Sequence, residues 1–497
     1  MKKINIFLIA VLSLGLSSCE NWLDIQPADT TVEEDLFKVG TGYRIALNGV
    51  YRQLSSTALY GQELTWGMAD VLGQVYNTSR LSSHAYTALG NFNYSDTQKA
   101  KDLISAVWST AYNVIANCNN IIGRIESEPA VKFVGGQLER DMILGEALAV
   151  RALMHFEMLC YFAPAPAAEH AGYWIPYYEN FPSTSADYQS VEKILELVIR
   201  DLKRGQELTL AFDTHQYGDE PNVKDHTLWL THLRRFRSEA DNSSYPEDIF
   251  YAFRGYRMNS QAITAILARV YGYAGEHTLA AAEAQKVIDI SSVGYPIFDF
   301  TPKTDVVSDY KMTGDLIFTL SNPTLLDDYK SFVASKDIGD TKWTMSSKYY
   351  SPGIFDSEGD CRKTTLLRQS GRTFFPKRYT KPDQQGQFTE IGADMLPVIR
   401  LAEMYYLQAE DFAAKNDFVN AIDKLEDVRM VRGCDPGKLT TIIDKGSFVK
   451  ELLLEVQREF AEEGRTFFYH KKYNSKFSAS MKDEAFYLPL PDNETIH

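Results

Sequence analysis

The stretch Leu396-Pro397-Val398-Ile399-Arg400-Leu401-Ala402-Glu403-Met404-Tyr405 opens a segment, residues 396–465, that decides the fold of this chain. Leu401, Tyr405, Ala409 and Phe412 lie three or four positions apart, so they share one stripe of a helix. Pro397 is expected near the start of that helix, where the missing amide costs least. The segment therefore opens with a predicted amphipathic helix.

Two further helices are predicted to follow directly. Lys415-Asn416-Asp417 forms a turn, Asp417 caps the second helix, and Gly433 ends it in a left-handed conformation. The third helix ends at Gly464, and small residues at Ala409 and Ala421 allow the first two helices to approach closely. The third helix carries its apolar residues on one side, at Phe448, Leu452, Val456 and Phe460. This arrangement is typical of a helical-hairpin repeat.

The same residues resemble the C-terminal signature of the SusD/RagB family, whose members are surface lipoproteins that capture nutrients in Bacteroidetes-type bacteria. The resemblance rests on residues 396–405, on Arg429 with Arg432-Gly433, and on the run 458–465. A Leu-Asp pair near the N-terminus, an Ala-rich helix at 146–152 and a closing Pro motif at 487–491 match the family too. The resemblance thus extends over almost the whole chain.

The N-terminus reads as a lipoprotein signal peptide over residues 1–18. Lys2 and Lys3 precede the apolar run 6–12, and Leu16-Ser17-Ser18-Cys19 follows it. This pattern predicts cleavage before Cys19 and acylation of that residue, which would anchor the protein in the outer membrane. An ordinary signal peptide with an incidental cysteine is the alternative. No later segment is long and apolar enough to span a bilayer.

Charge and cysteine usage narrow the class of protein. Lys and Arg number 51 against 66 Asp and Glu, a net charge of -15, which argues against nucleic acid or anionic lipid as the main ligand. Cys118 and Cys160 lie in apolar helical patterns and are predicted to be free, buried thiols. For Cys361 and Cys434 the sequence leaves both the reduced and the disulfide form open.

Helical hairpins recur along the chain, at 99–162 and 261–290 as well as at 396–465, with irregular spacing. Residues 19–497 are therefore predicted to form a single domain that is dominated by α-helices, a tetratricopeptide-like scaffold with a few short strands. Residues 315–320 alternate like one such strand. Two insertions without helical period, at about 71–95 and 295–395, are the predicted ligand loops.

The sequence offers no pattern for catalysis. Glu459, Glu462 and Glu463 lie close to Arg458 and Arg465, which favours an ion-pair face over the opposed carboxylates of a glycosidase. No zinc-binding His-Glu-x-x-His, nucleophile elbow or phosphate-binding Gly-rich loop is present. We therefore expect a binding protein without catalytic residues, metal or cofactor.

The two insertions contain the residue types that bind saccharides. Rings stack on the C–H face of a sugar, and amide, carboxylate and guanidinium groups bind its hydroxyls. The candidates for stacking are Tyr76, Trp343 and Tyr349, and those for the rim are Asp70, Asn77 and Arg80. Trp343 could instead fill a small core of its own insertion, Asp70 could cap a helix, and Tyr349 could face inward.

The family resemblance implies a function for these loops. It implies an outer-membrane lipoprotein that binds a glycan or oligosaccharide and delivers it to a SusC-like TonB-dependent transporter. Some relatives capture peptides, and the basic cluster 234–237 could serve acidic termini or acidic glycans. A scaffold of the transporter complex without a ligand of its own is the third alternative.

Overall fold

Helices make up just over half of the residues that the computed structural model describes. The structure describes residues 34–80, 84–168, 170–183, 185–214, 235–236, 248–292, 295–333, 343–350 and 353–494. The predicted signal peptide and Cys19 lie outside this part of the chain. In chain order the helices are α1 Gly40–Leu54, α2 Met68–Leu72, α3 His84–Gly90, α4 Gln98–Ile125, α5 Gly136–Phe162, α6 Val191–Asp213, α7 Ser260–Tyr273, α8 His277–Asp289, α9 Leu325–Val333, α10 Cys361–Thr364, α11 Leu401–Ala414, α12 Phe418–Val431, α13 Lys445–Glu459 and α14 Arg465–Lys472.

The long helices pack as a continuous series of neighbours. Helix α4 packs on α5, α5 on α6, α6 on α7 and α7 on α8. Helix α8 packs directly on α11, and α11, α12, α13 and α14 then pack on one another in order. The second insertion, which lies between α8 and α11 in sequence, therefore does not separate these two helices in space. This confirms the prediction of a helix-dominated scaffold of stacked hairpins.

Glycine sets the spacing of α5 and α6. A Cβ atom on Gly145 of α5 would lie 2.9 Å from the carbonyl oxygen of Gly205 on α6, and one on Gly205 would lie 2.8 Å from that of Gly145. Only residues without a side chain permit this approach of two helix backbones. The equivalent role in the C-terminal hairpin belongs to Ala409 and Ala421, which are both fully buried.

Short antiparallel strand pairs accompany the helices. They are β1 Ile175–Pro176 with β2 Tyr188–Gln189, β3 Ser291–Ser292 with β4 Tyr295–Pro296, β5 Leu316–Ser321 with β8 Met395–Arg400, and β6 Leu367–Ser370 with β7 Thr373–Pro376. Strand β5 confirms the predicted strand at 315–320. The predicted helix start at Pro397 is wrong, because Pro397 lies in β8 opposite Thr319 and the helix begins at Leu401.

The predicted end of the third helix at Gly464 is also wrong, because α13 ends at Glu459 and a turn with left-handed Glu462 and Gly464 follows it. The remaining signals of the deciding segment are confirmed. The Asp417 side chain accepts a hydrogen bond from the Asn420 amide and caps α12, and Gly433 follows that helix with a φ of 84°. Phe448, Leu452, Val456 and Phe460 are all buried. Cys118 and Cys160 are free and buried, as predicted, and so are Cys361 and Cys434.

The arginines and carboxylates of the C-terminal signature form a buried network rather than a solvated face. Arg400 Nη1 lies 2.6 Å from Glu459 Oε1, and Arg432 Nη2 lies 2.8 Å from the same oxygen. Arg362 Nη1 reaches Glu455 Oε2 at 2.8 Å. All of these side chains are at most 1% exposed. The network joins α10, α12, α13 and β8, so the signature residues fix how the second insertion attaches to the helical scaffold.

Candidate functional site

The two predicted ligand insertions meet. An isolated bridge pairs Tyr76 with Met345, the Asn77 amide donates to the Thr344 carbonyl at 2.9 Å, and the Ser346 amide donates to the Val75 carbonyl at 2.8 Å. Predicted site residues that are distant in sequence are therefore close in space. The first insertion is also less irregular than expected, because it contains the turn Thr78–Arg80 and helix α3.

The rings predicted to stack on sugar are buried at this junction. Tyr76 and Trp343 are 3% and 8% exposed, with centroids 4.7 Å apart and planes at 81°. Tyr86 and Phe332 pack on Trp343 at 5.6 and 4.7 Å. Burial raises the pKa of Tyr76 well above its ordinary value. This aromatic cluster holds the two insertions together, and it offers no exposed ring at Tyr76 or Trp343.

Tyr349 and Asp70 are buried as well. The Tyr349 hydroxyl donates to the Gln457 carbonyl at 3.0 Å, and the ring is 2% exposed. Asp70 is fully buried in α2, where its Oδ1 accepts from the Gly464 amide at 3.0 Å. Burial raises the pKa of Asp70 well above its ordinary value. Tyr349 therefore faces inward, which was the alternative for this residue, whereas Asp70 binds the amide of the residue before α14 and does not cap α2.

The two remaining candidates differ in what the structure describes. Asn77 is half-buried, so part of its side chain is at the surface. Its Oδ1 accepts a hydrogen bond from the Ser79 hydroxyl at 2.7 Å. The backbone of Arg80 ends the turn Thr78–Arg80, and its side chain lies outside the described part of the chain. Both stay predicted rim residues.

The basic cluster at 234–237 was a candidate for acidic ligands. Of its arginines the structure describes Arg235, which is 1% exposed. Its guanidinium donates to the carbonyls of Ile297, Thr313, Gly314 and Leu316 at 3.0 to 3.2 Å. Arg235 therefore ties the start of the second insertion to strand β5 and is not available to a ligand.

A polar cavity of about 760 Å³, the loop cavity, opens beside the junction. Residues 90–95 of the first insertion form one wall, and the C-terminal segment 478–489 forms the other. Thr78 packs directly against Gly90, because a Cβ at Gly90 would lie 2.3 Å from the Thr78 methyl group. Thr78, the first residue of the turn Thr78–Arg80, therefore contacts one wall of the cavity, and the predicted rim residues Asn77 and Arg80 lie one and two positions from it in sequence.

Local contacts hold both walls of the loop cavity in place. Gln74 adopts a φ of 56° and donates from Nε2 to the Gly90 carbonyl at 2.8 Å. The buried Tyr94 donates its hydroxyl to the Ala485 carbonyl and thereby joins the two walls. Phe92 stacks on Phe477 with centroids 6.1 Å apart. The walls are thus fixed relative to each other before any ligand arrives.

The lining of the loop cavity suits a hydroxylated ligand. Half-buried rings of Phe92 and Tyr487 provide apolar contact surface. Exposed amides and hydroxyls surround them, and these groups both donate and accept hydrogen bonds. The exposed polar residues are Asn91, Asn93, Ser95, Ser478 and Ser480, with Lys482 and Glu484 as one charge of each sign.

The C-terminal wall of this cavity was not among the residues predicted from the sequence. Tyr487 was noted as part of a family motif only, and its ring now packs edge-on against Trp174 with centroids 5.2 Å apart. The serines at 478 and 480 carry no periodic signal. The only indication of this wall in the sequence was the short polar run with Ser478 and Ser480, which precedes Tyr487.

The described residues show neither a metal-binding cluster nor a membrane-spanning helix. In that part of the chain no three His, Cys, Asp or Glu side chains are grouped so that they could hold a metal ion. None of the helices described above is both long and apolar enough to cross a bilayer.

Two family models match the chain. One, described as "SusD family", matches residues 322–495, and the other, described as "Starch-binding associating with outer membrane", matches residues 22–216. Together they include both walls of the loop cavity and both sides of the aromatic cluster.

Curated relatives match over part of their length. The SusD-like protein P25 of Formosa agariphila is 26% identical over 170 residues, which are 33% of this chain and 31% of that protein. The SusD-like protein P2 of the same organism is 25% identical over 218 residues, 42% of this chain and 38% of that protein. The aligned part is thus less than two fifths of either relative.

Solved structures match over nearly the whole chain. A SusD superfamily protein from Bacteroides thetaiotaomicron superposes with a TM-score of 0.67 at 19% identity, covering 92% of this chain and 97% of that one. A SusD-like carbohydrate binding protein from Bacteroides vulgatus superposes with a TM-score of 0.62 at 19% identity, covering 87% and 83%. At these identities the likeness establishes the fold.

Proposed function

Because this chain belongs to the SusD/RagB family, we propose that it is a cell-surface lipoprotein that binds a glycan or oligosaccharide. It delivers this ligand to a SusC-like TonB-dependent transporter. The lipid on Cys19 anchors it to the outer membrane. The description of one matching family model, "Starch-binding associating with outer membrane", supports a glycan as the ligand.

The loop cavity is the observation that carries the proposal for this chain. It combines half-buried rings at Phe92 and Tyr487 with a rim of amides and hydroxyls. Its volume of about 760 Å³ lies within the range of about 300–1,000 Å³ that is usual for small-molecule sites. Thr78 packs against Gly90 of one wall, and we propose its sequence neighbours Asn77 and Arg80 as further contacts of the glycan. We assign the glycan to this cavity.

The proposal requires no catalytic step. The carboxylates that were considered as catalytic groups, because they lie close together in the sequence, bind other residues inside the protein. Glu459 binds arginines of the buried network, and Glu462 accepts from the Tyr329 hydroxyl and from the Arg378 amide. Binding and release of an intact glycan are therefore the function that we assign.

Retention on immobilised ligands tests the proposal. The purified full chain is applied to starch, other neutral polysaccharides and a set of peptides. We expect retention by a glycan, and Tyr487→Ala or Asn93→Ala should weaken it about tenfold, since each removes a stacking or hydrogen-bonding contact worth on the order of 1 kcal/mol.

Tyr173→Ala is the matched control, because this tyrosine is 74% exposed and does not line the loop cavity. Thermal unfolding of each variant verifies that it is folded. Retention by peptides alone would replace the glycan assignment with a peptide receptor. Retention by neither would favour the scaffold alternative.

A further inference from the structure

A second cavity, the helix groove, includes the C-terminal residue Glu494 in its lining. It has a volume of about 570 Å³ and runs between helix α4 and residues 176–183. Glu494 belongs to its lining, whereas Tyr487 and Pro489 line the loop cavity, and the two cavities share no lining residue. The groove is therefore a separate site.

Aromatic side chains form both walls of the helix groove. Trp108 and Tyr112 come from α4, with centroids 4.5 Å apart, and Tyr178 meets Tyr112 edge-on at 5.7 Å. Phe181 lines the groove with 41% of its surface exposed. Its ring face is available to a ligand.

Buried polar groups fix the wall that carries Tyr178 and Phe181. Asn119, which is 1% exposed, donates from Nδ2 to the carbonyls of Tyr178 at 3.0 Å and Asn180 at 3.4 Å. His155 Nε2 accepts from the Tyr178 amide at 3.0 Å, and burial lowers the pKa of His155 to about 3, so this imidazole is neutral. The wall is thus held in place without a ligand, which reduces the ordering cost of binding.

A second layer supports His155 itself. Its ring stacks on Tyr177 with centroids 3.8 Å apart. The Tyr177 hydroxyl donates to Asp201 Oδ2 at 2.7 Å, and Arg151 pairs with that carboxylate at 2.6 Å. Arg151 also donates to Asn119 Oδ1 at 2.9 Å. One connected network therefore positions both buried residues that hold the groove wall.

The charges at the helix groove are of one sign. Among the lining residues that the structure describes, Asp102 and Glu494 are charged, and none is a lysine, arginine or histidine. Lys101, next to Asp102 in sequence, lies 3.5 Å from Asp492. Two carboxylates beside aromatic rings attract a positively charged ligand and repel an anionic one.

We propose that the helix groove is a second saccharide site and that it selects amine-bearing sugars. Phe181 and Tyr178 would contact the C–H face of the ring, and Asp102 and Glu494 would receive the ammonium group. The saccharide class rests on the proposed function of the chain. The preference for an amine rests on the charges of the groove alone.

Three oligosaccharides of matched length distinguish the charge classes: glucosamine oligomers, their N-acetylated and therefore neutral counterparts, and oligogalacturonate. Calorimetry on the full chain should show glucosamine oligomers binding at least fivefold more tightly than the N-acetylated form at low ionic strength, and oligogalacturonate not binding in the groove. Asp102→Asn combined with Glu494→Gln should abolish the preference. Added salt should weaken it, because these carboxylates are near the surface.

Phe181→Ala should weaken glucosamine binding about tenfold, and Tyr173→Ala, in the same segment, should leave it unchanged. Tyr487→Ala in the loop cavity should also leave it unchanged, so failure at one cavity is distinguishable from failure at the other. Equal affinity for the three oligomers, or glucosamine binding that Phe181→Ala does not alter, would overturn the proposal and leave the loop cavity assignment intact.

Discussion

At the scale of single residues, Glu459 shows why the C-terminal signature consists of charges. Its carboxylate is fully buried and is held by Arg400, Arg432 and Arg362. Burial alone would raise its pKa, but Arg432 and Arg400 outweigh that effect, and the pKa lies well below its ordinary value. Removing this one charge takes a shared partner from three buried guanidinium groups, which then keep the carboxylates of Glu463, Asp315, Asp360 and Glu455.

We therefore expect Glu459→Gln to lower the free energy of unfolding by about 3–5 kcal/mol, the usual cost of breaking a buried ion pair from one side. Urea unfolding followed by circular dichroism measures the change. Glu451→Gln on the same helix is the control. Glu451 contacts Arg458 at 2.9 Å at the edge of the network, and its loss should cost below about 1 kcal/mol. Equal losses for both variants would contradict this account.

The direction in which individual side chains point was the feature least predictable from the sequence. Tyr76, Trp343 and Tyr349, the predicted stacking residues, lie in two insertions that meet, and their rings are buried there. An irregular segment has no period from which an inward or outward direction can be read. A tyrosine in such a loop has the same local signal whether it faces a ligand or another loop. The neighbours that decide its direction are distant in sequence.

At the scale of elements, the turn between α13 and α14 contains a strained and buried acid. Glu462 adopts a φ of 70°, which is rare for a residue with a side chain, and it is 1% exposed. Burial raises its pKa from 4.5 to about 7. Asp70 on α2 and Glu463 face the same region, as do Arg378 and Lys311 of the second insertion.

This raised pKa makes the turn sensitive to pH. Between about 4.5 and about 7 the folded protein keeps a proton on Glu462 that the unfolded chain has released, so stability falls as pH rises through this window. Glu462→Gln removes the titration. The stability of the wild type relative to this variant should therefore decline by up to about 3 kcal/mol over that window and stay constant at higher pH.

Denaturant unfolding at a series of pH values tests the decline. The comparison with the variant is essential, because two buried histidines affect stability over an overlapping pH range. Burial lowers the pKa of His155 to about 3 and that of His470 to about 4, so their contributions make stability rise with pH. These contributions are common to both proteins and cancel. A difference that rises with pH, or that does not change, would show that Glu462 is ionised throughout.

Most helices and strands were predictable from the sequence. Where a prediction was wrong, the reason is physical. Helices α11 to α13 were found from the apolar period and from caps at Asp417 and Gly433. Strand β8 was assigned to the start of a helix, because a short apolar run before a helix carries no period of its own. Its partner β5 lies far back in the chain, and pairing between them decides the conformation of Pro397.

At the scale of the whole molecule, buried ion pairs join helices that are far apart in sequence. Arg254 pairs with Glu146 at 2.6 Å, Arg269 with Glu403 at 2.6 Å, and Lys472 with Glu410 at 2.5 Å. Helical periodicity predicts the hairpins but not these pairings, because each partner alone resembles a surface charge. This is why the scaffold could be predicted while the packing of its insertions in space, and hence the loop cavity, could not.

The scale of the whole molecule also includes its attachment to the membrane, which we predict to depend on Cys19 alone. Wild-type protein expressed in cells of a Bacteroidetes-type bacterium should incorporate labelled palmitate and sediment with the outer membrane. Cys19→Ser should lose the label and move to the soluble fraction, since two or more acyl chains are needed for stable anchoring. Ser18→Ala keeps the cysteine and a small residue before it, so this control should remain in the membrane fraction. Labelling that persists in Cys19→Ser would refute acylation at this position, and a Cys19→Ser protein that still sediments without label would show that a protein partner holds it there.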